Sequence, residues 1–455
     1  MQGVVGVYSH KDASTKSHYV LFGVQHRGQE SSGVTAAGNH SLRTWKGKGL
    51  ISNVFDEKYA VFNHPDDYVI IGAASGENTG NGYTPIESRE HSRYKFSLAL
   101  DGFFPGKQGS NEDVIKKSLL TNLDAGMRFV ESFKETMRSH RGGYYSLVMA
   151  VWDQEEEKSI LMAARDERGI RPLYMARSRD SFYFASESAP IDVLENMGEG
   201  FTERGDVVPG SLVIIEDNKL TVEQVLEPRR AHCVFEWVYF GRPDSVIEGK
   251  TVHVARKRLG HGLVAIHDLN DEYAGHKNHD LVVMPVPDSG RSVSTGVAEA
   301  LGVTADEGII KNAYMGRTYI IDDPNYRKIA SDLKHNVIRK TVEGKKVVLT
   351  DDSIVRGTVS ESIAKNLRQA GAIEVDFLVS YAPIFYPCFS DPADKPLAAQ
   401  PFKGKSLEEI GELVAVNLPS IDNVRYNSEE KILWAIDLPP GHICTYCISG
   451  CNPFE

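Results

Sequence analysis

Residues 347–360, VVLTDDSIVRGTVS, restrict the fold of this 455-residue chain more than any other stretch. A β-branched run of strand type ends in two adjacent carboxylates, Asp351 and Asp352. A turn of Ser353, Arg356 and Gly357 then leads into TVSESIAKNLRQAG, where Ile363, Ala364, Leu367 and Ala370 recur at helical spacing and Gly371 supplies the stop. Strand, acid pair, glycine loop and helix in that order fit a βα unit whose loop holds a phosphorylated sugar. Backbone N–H groups at the helix start surround the phosphate, and the acids take hydroxyls or a divalent metal. The plainer reading, a solvated strand end followed by an ordinary turn, would not require that order.

The surrounding chain supports a parallel sheet there. LVVMPVPDSG at 281–290 is a second apolar strand feeding a polar loop and the helix-like SVSTGVAEALG, and IEVDFLVS follows at 373–380. In open α/β sheets ligands bind beyond the carboxyl ends of the strands, so the loops at 286–290 and 351–358 are expected to converge. Residues 1–227 are written differently: GVVGVYS, DYVIIGAA, FSLAL, YYSLVMAVW, SILMAA, SFYFAS and SLVII are short strand-like runs separated by turns. Only 112–138 has the length and spacing of helices, so a largely antiparallel half is expected.

Bulk properties exclude several classes. Hydrophobic residues at 41% and charged residues at 25% describe an ordinary globular chain, and a formal net charge of −11 argues against nucleic-acid or membrane surfaces as general partners. No apolar run approaches the ~18 residues of a membrane span, and no signal core opens the chain. A cytoplasmic location is expected. The five cysteines, Cys233, Cys388, Cys444, Cys447 and Cys451, lie in the second half, and an odd count favours a metal or cluster site over disulfides. The alternative is buried apolar thiols.

Further segments carry a family resemblance: QHRGQESSG at 25–33, RDERGIRPL at 165–173, ASES at 185–188, FEWVYFGRPDS at 235–245, VPDSG at 286–290, KNAYMGRTYI at 311–320 and DDSIVRGT at 351–358. With these the chain resembles the glutamine phosphoribosylpyrophosphate amidotransferase family of purine biosynthesis. The resemblance implies an α+β N-terminal-nucleophile sandwich of the class II glutaminase type over 1–227. It implies an α/β type I phosphoribosyltransferase domain with a parallel sheet over 228–455, ending in a cysteine-bearing segment. Phosphoribosylpyrophosphate would be held by Asp288, Ser289, Gly290, Asp351, Asp352, Ser353, Arg356, Gly357 and Thr358, with Arg327 and Lys334 from the closing loop. Mg2+ would sit at Ser289, Asp351 and Asp352. Cys233, Cys388, Cys444 and Cys447 match the ligands of a [4Fe–4S] cluster, with zinc as the alternative from residue chemistry. Purine nucleotides as inhibitors and a homo-oligomer are also implied.

The same resemblance exposes departures. Gln2 stands where the family has its nucleophilic cysteine, Ser75 where an arginine anchors glutamine, and Asp101 where an asparagine donates to the oxyanion. A carboxamide cannot replace a thiolate, and a carboxylate opposes an oxyanion. The glutaminase is therefore expected to be inactive. Val359 replaces a threonine of the phosphate loop; Ala313, Asp322 and Pro324 alter the closing loop, while Arg317, Thr318, Tyr319 and Ile320 remain. Three readings follow: an ammonia-dependent amidophosphoribosyltransferase, a noncatalytic regulatory or scaffolding subunit of an active paralogue, or a phosphoribosyltransferase with another nucleophile. His26 is expected to be structural, and Arg229 and Arg230 to lie in a solvated linker.

Overall fold

A computed structural model describes residues 1–55, 64, 66–76, 86–106, 110–276, 280–312, 335–390 and 396–455. The first half builds two antiparallel sheets. One runs, in spatial order, Phe201–Asp206, Tyr174–Ser178, Ser181–Ala185, Gln2–Ser9, Asp67–Ser75, Ser31–Gly38 and Leu42–Lys48. The other runs Lys219–Gln224, Ser211–Glu216, Lys158–Arg165, Tyr144–Asp153, Tyr94–Phe103 and Glu87–His91. The first strand shows why its sequence is apolar throughout. Val4 and Tyr8 point into the core shared with Val148, Leu161 and Val213, whereas Val5 and Val7 face a second core with Val20, Leu21, Ile191 and Leu194. Both faces of the strand are covered, so alternation disappears.

Helices Asn111–Asp124 and Phe129–Ser139 cover the outer face of the second sheet through Leu119 and Phe133. The first starts at a capping box in which Ser110 accepts from Asp113 N–H and Asp113 accepts from Ser110 N–H. Two further helices, Ala13–Gly23 and Ala189–Asn196, correct the expectation that only 112–138 is helical. Ala13–Gly23 follows Asp12 with φ +55° and has no side-chain cap, so no sequence signal marks its start. Packing of Val20 and Leu21 on the sheet stabilises it instead.

The second half contains the expected parallel sheet, in the order Leu281–Pro285, Lys346–Asp351, Glu374–Val379 and Asn423–Tyr426. Val348, Val283 and Leu378 pack with Leu263, Val293 and Val297 of helices Val252–Ile266 and Arg291–Leu301. Val347 and Leu349 face the opposite way, toward Ile363 and Leu367 of Thr358–Gln369 and Ile410 and Val414 of Leu407–Val416. Among the described residues no helix is long and apolar enough to cross a membrane.

A buried charge network joins the halves. Glu187 accepts from His26 Nε2 at 2.7 Å, Arg27 Nε at 2.9 Å, Arg242 N–H at 2.8 Å and Ser245 Oγ at 2.6 Å. Arg27 also donates from Nη2 to Glu236 Oε2, and Arg171 Nη1 donates to Glu236 Oε1 at 2.9 Å. The Arg27, Glu187 and Glu236 side chains are at most 1% exposed. His26 thus adds a donor to this network. Arg256 continues the network, donating to the carbonyls of Trp237 at 2.7 Å and Gly241 at 2.8 Å.

Burial alone would raise the Glu187 carboxyl, but Arg27, His26 and Ser245 outweigh it and bring it down to about 2. A depressed carboxyl contributes stability that is present above its ordinary value and lost as pH falls through the folded one. Urea unfolding of the wild type is therefore expected to lose on the order of 3 kcal/mol between about pH 4.5 and pH 2 relative to Glu187→Gln. At pH 7 that variant is expected to be destabilised by about 3–5 kcal/mol, because Arg27 loses a buried partner.

Candidate active site

The loops after two adjacent parallel strands meet. Val286 N–H donates to the Thr350 carbonyl at 2.8 Å, extending the pairing of Pro285 with Thr350 beyond the strand. Ser289 Oγ donates to Asp351 Oδ1 at 2.7 Å, the same oxygen that accepts Asp352 N–H at 2.9 Å. Ser353 Oγ donates to Asp352 Oδ2 at 2.6 Å. The third strand braces the pair from behind, with Ser380 N–H on the Asp351 carbonyl at 2.9 Å and Tyr381 N–H on the Asp352 carbonyl at 3.0 Å. Burial and the adjacent Asp352 charge hold the Asp351 carboxyl well above its ordinary range, with Ser289 pulling the other way. Hard oxygen donors carrying uncompensated negative charge suit a divalent cation that also takes substrate phosphates.

Beside the acids a cavity of about 300 Å³ is lined by Asp351, Ser353 and 355–360. Gly357, at φ +82°, starts the helix Thr358–Gln369, and a Cβ there would stand 2.7 Å from Leu418 Cδ2. The first N–H groups of that helix have no partner within it and face an anion-sized space. Arg356 and Thr358 are exposed at its mouth, as is Val359 at 58%. Asp288 turns outward, pairing with Lys311 at 2.7 Å and Arg291 at 3.3 Å. Gly290 is required by space, since a Cβ would lie 2.2 Å from the Thr350 carbonyl oxygen. Arg327, Lys334 and the altered positions Ala313, Asp322 and Pro324 lie outside the described residues.

The three departures of the first half also come together. Gln2 pairs with Ser75 across neighbouring strands, and Gln2 N–H donates to Asp101 Oδ1 at 3.1 Å. All three are buried, and Arg171 Nε approaches Asp101 Oδ2 at 3.7 Å.

Comparison with known proteins now bears on the whole chain. A model described as a glutamine amidotransferase domain matches residues 114–192. Amidophosphoribosyltransferase of Methanothermobacter thermautotrophicus is 32% identical over 474 residues, covering 99% of this chain and 94% of that protein. The enzyme of the same name from Archaeoglobus fulgidus is 33% identical, covering 100% and 98%. The chain belongs to the amidophosphoribosyltransferase family. Among solved structures, glutamine phosphoribosylpyrophosphate amidotransferase from B. subtilis, complexed with ADP and GMP, superposes with a TM-score of 0.82 at 31% identity, covering 99% of this chain and 97% of that one. A structure described as the allosteric regulatory enzyme of purine biosynthesis matches equally, with a TM-score of 0.82 at 30% identity. The amidophosphoribosyltransferase architecture, a sheet-rich glutamine amidotransferase half followed by a parallel-sheet transferase half, is thus the one this chain adopts.

Cys233 stands opposite Cys444 where His232–Cys233 pairs in parallel with Ile443–Cys444. Burial pushes the Cys233 thiol well above its usual range, Cys444 up to about 11 and Cys447 up to about 12. Phe389, next to Cys388, packs in the cluster that also takes Cys233 and Cys444, and the Cys447 carbonyl accepts N–H groups from Phe385 and Tyr386, so the three cysteine-bearing segments meet. Cys451 is exposed.

Sequence reading left QHRG, ASES and FEWVYFGRPDS without assigned roles, and these motifs supply Arg27, Glu187 and Glu236. Only Glu236, a charge inside the apolar run FEWVYF, carried a local signal of burial. Tyr381 was missed because nothing local marks it. Replacing Gly290 by alanine is expected to lower stability by about 2 kcal/mol or more in denaturant unfolding, because the carbonyl it would strike belongs to the central strand.

Proposed function

We propose that this protein binds phosphoribosylpyrophosphate with Mg2+ and forms phosphoribosylamine from ammonia, without glutaminase activity of its own. Residues 228–455 are the transferase domain and 1–227 a glutaminase-like domain kept for folding and assembly. The observation that carries the reading is the meeting of Ser289 with Asp351 beside an empty-centred helix start. Asp288, Ser289 and Gly290 form the loop that takes the pyrophosphate, with the Asp288 carboxylate turned out toward Lys311 and Arg291; Asp351 and Asp352 take the ribose hydroxyls; Ser353, Arg356, Gly357 and Thr358 hold the 5′-phosphate. Arg327 and Lys334 add positive charge from the closing loop.

Ser289, Asp351 and Asp352 would hold a Mg2+ ion, which would supply positive charge to offset that of the departing pyrophosphate. The bond from C1 to the pyrophosphate oxygen breaks with its electron pair on oxygen, ammonia forms the new C1–N bond, and one N–H proton passes to solvent. The acid pair orients the hydroxyls while positive charge develops at C1.

Gln2, Ser75 and Asp101 support the loss of glutaminase activity. The Gln2 backbone N–H is bonded to Asp101, and a buried carboxylate at the position that the resemblance gives to the oxyanion donor would oppose an oxyanion. Four neighbouring thiols fit a [4Fe–4S] cluster at Cys233, Cys388, Cys444 and Cys447. Zinc is the alternative that the same thiolate donors allow. Among the described residues no three His, Cys, Asp or Glu groups gather to hold a single ion. The protein is cytoplasmic, assembles as a homo-oligomer or with an active paralogue, and responds to purine nucleotides.

Pyrophosphate release from phosphoribosylpyrophosphate and Mg2+ is expected with ammonium and not with glutamine. Release with glutamine alone refutes the inactive glutaminase, and binding without release under either condition assigns the regulatory subunit instead. Gln2→Cys alone is expected to leave glutamine-dependent release absent, since Ser75 and Asp101 remain. Asp351→Asn is expected to slow ammonium-dependent release by roughly 100-fold. Anaerobic protein is expected to contain iron and absorb in the visible; folded protein without iron removes the cluster.

A further inference from the structure

Tyr381 is fully buried and touches three parts of the molecule at once. Its N–H donates to the Asp352 carbonyl at 3.0 Å, and its hydroxyl shares a 2.9 Å hydrogen bond with the Cys447 sulfur. Its ring meets Phe235 edge-on, with centroids 4.6 Å apart, two residues after Cys233. The preceding Ser380 reinforces the contact with the acids, since its hydroxyl donates to the same Asp352 carbonyl at 3.2 Å. From the cysteine side, the Cys447 carbonyl accepts N–H groups from Phe385 at 2.9 Å and Tyr386 at 3.1 Å. The segment 380–386 is therefore pinned to the acid pair at one end and to the cysteine segment at the other.

We propose that Tyr381 is a positioning residue through which the sulfur of Cys447 fixes the stance of Asp352. The inference rests on the reading of Asp351 and Asp352 as the substrate-binding acids, and extends it by tying their order to the cysteine site. Among the described residues the Tyr381 hydroxyl has one hydrogen-bond partner, the Cys447 sulfur. When sulfur is a ligand it carries no proton, so the hydroxyl alone donates, and hydrogen bonds to ligand sulfur orient it. Removing the sulfur partner leaves the hydroxyl without its bond, and the ring can then shift away from Asp352. A peptide that has lost one buried anchor samples open states more often.

The test uses full-length Tyr381→Phe, which keeps the ring and the N–H and deletes only the hydroxyl. Hydrogen exchange is followed by mass spectrometry without ligand, on peptides spanning 347–360 and, as a control, 94–103 in the first half. Exchange in 347–360 is expected to rise about fivefold with the control unchanged, and the dissociation constant for phosphoribosylpyrophosphate with Mg2+ to weaken about fivefold. Cys447→Ala is expected to raise exchange in 347–360 in the same way, and adding Tyr381→Phe to it to produce no further rise. Unchanged exchange in 347–360, an equal rise in the control peptide, or additive effects of the two substitutions would each overturn the proposal. Exchange needs no ligand, so wild-type protein that fails to bind phosphoribosylpyrophosphate would remove the functional reading while this measurement still decides the role of Tyr381.

Discussion

One guanidinium holds the molecule together. Arg27, in the first half, lies between Glu187 from its own half and Glu236 from the other, with all three side chains out of water. Removing such charges from solvent is costly, and only near-complete hydrogen bonding offsets it. Glu187 therefore accepts four donors, two of them, Arg242 N–H and Ser245 Oγ, from beyond the boundary between the halves. Because each charge is satisfied only when the halves are docked, the network selects one docking geometry.

That geometry extends to the acid pair. The turn Glu236–Phe240 is fixed by Glu236 on one side and by Arg256 on its carbonyls on the other, and Arg256 belongs to the helix that packs under the parallel sheet. A second tie works in parallel: Arg165 donates to Glu248 at 2.6 Å and to the carbonyls of Val207 and Gly169, each at 2.9 Å. Motifs of the glutaminase half are accounted for by these ties. Arg27, Glu187 and Arg165 contribute to assembly whether or not glutamine is hydrolysed.

The strand, acid pair and helix at 347–360 were legible because each step uses local physics: β-branched residues, a positive-φ glycine and apolar residues at helical spacing. Helix Ala13–Gly23 was not, since its polar start carries no cap and its stability comes from a sheet assembled from strands far away in sequence. Contact of Ser289 with Asp351 was foreseeable from the parallel topology, because adjacent strands in such a sheet end on the same side. The bracing of those acids by Ser380 and Tyr381 could not be foreseen, as it depends on which strand lies next to the acid-bearing one.

By itself the sequence determined the two kinds of sheet, the residue types at the acid and phosphate loops, and the absence of a thiol at position 2. These are statements about pattern and chemistry, and they do not need distances. Tertiary structure alone decided that three motifs without apparent roles meet at one buried arginine, that the Gln2 backbone N–H is bound by Asp101, and that one tyrosine spans the acids and a cysteine. Each is a contact between residues far apart in the chain, and burial, which only the folded chain creates, makes an unpaired polar group there too costly to leave without a partner.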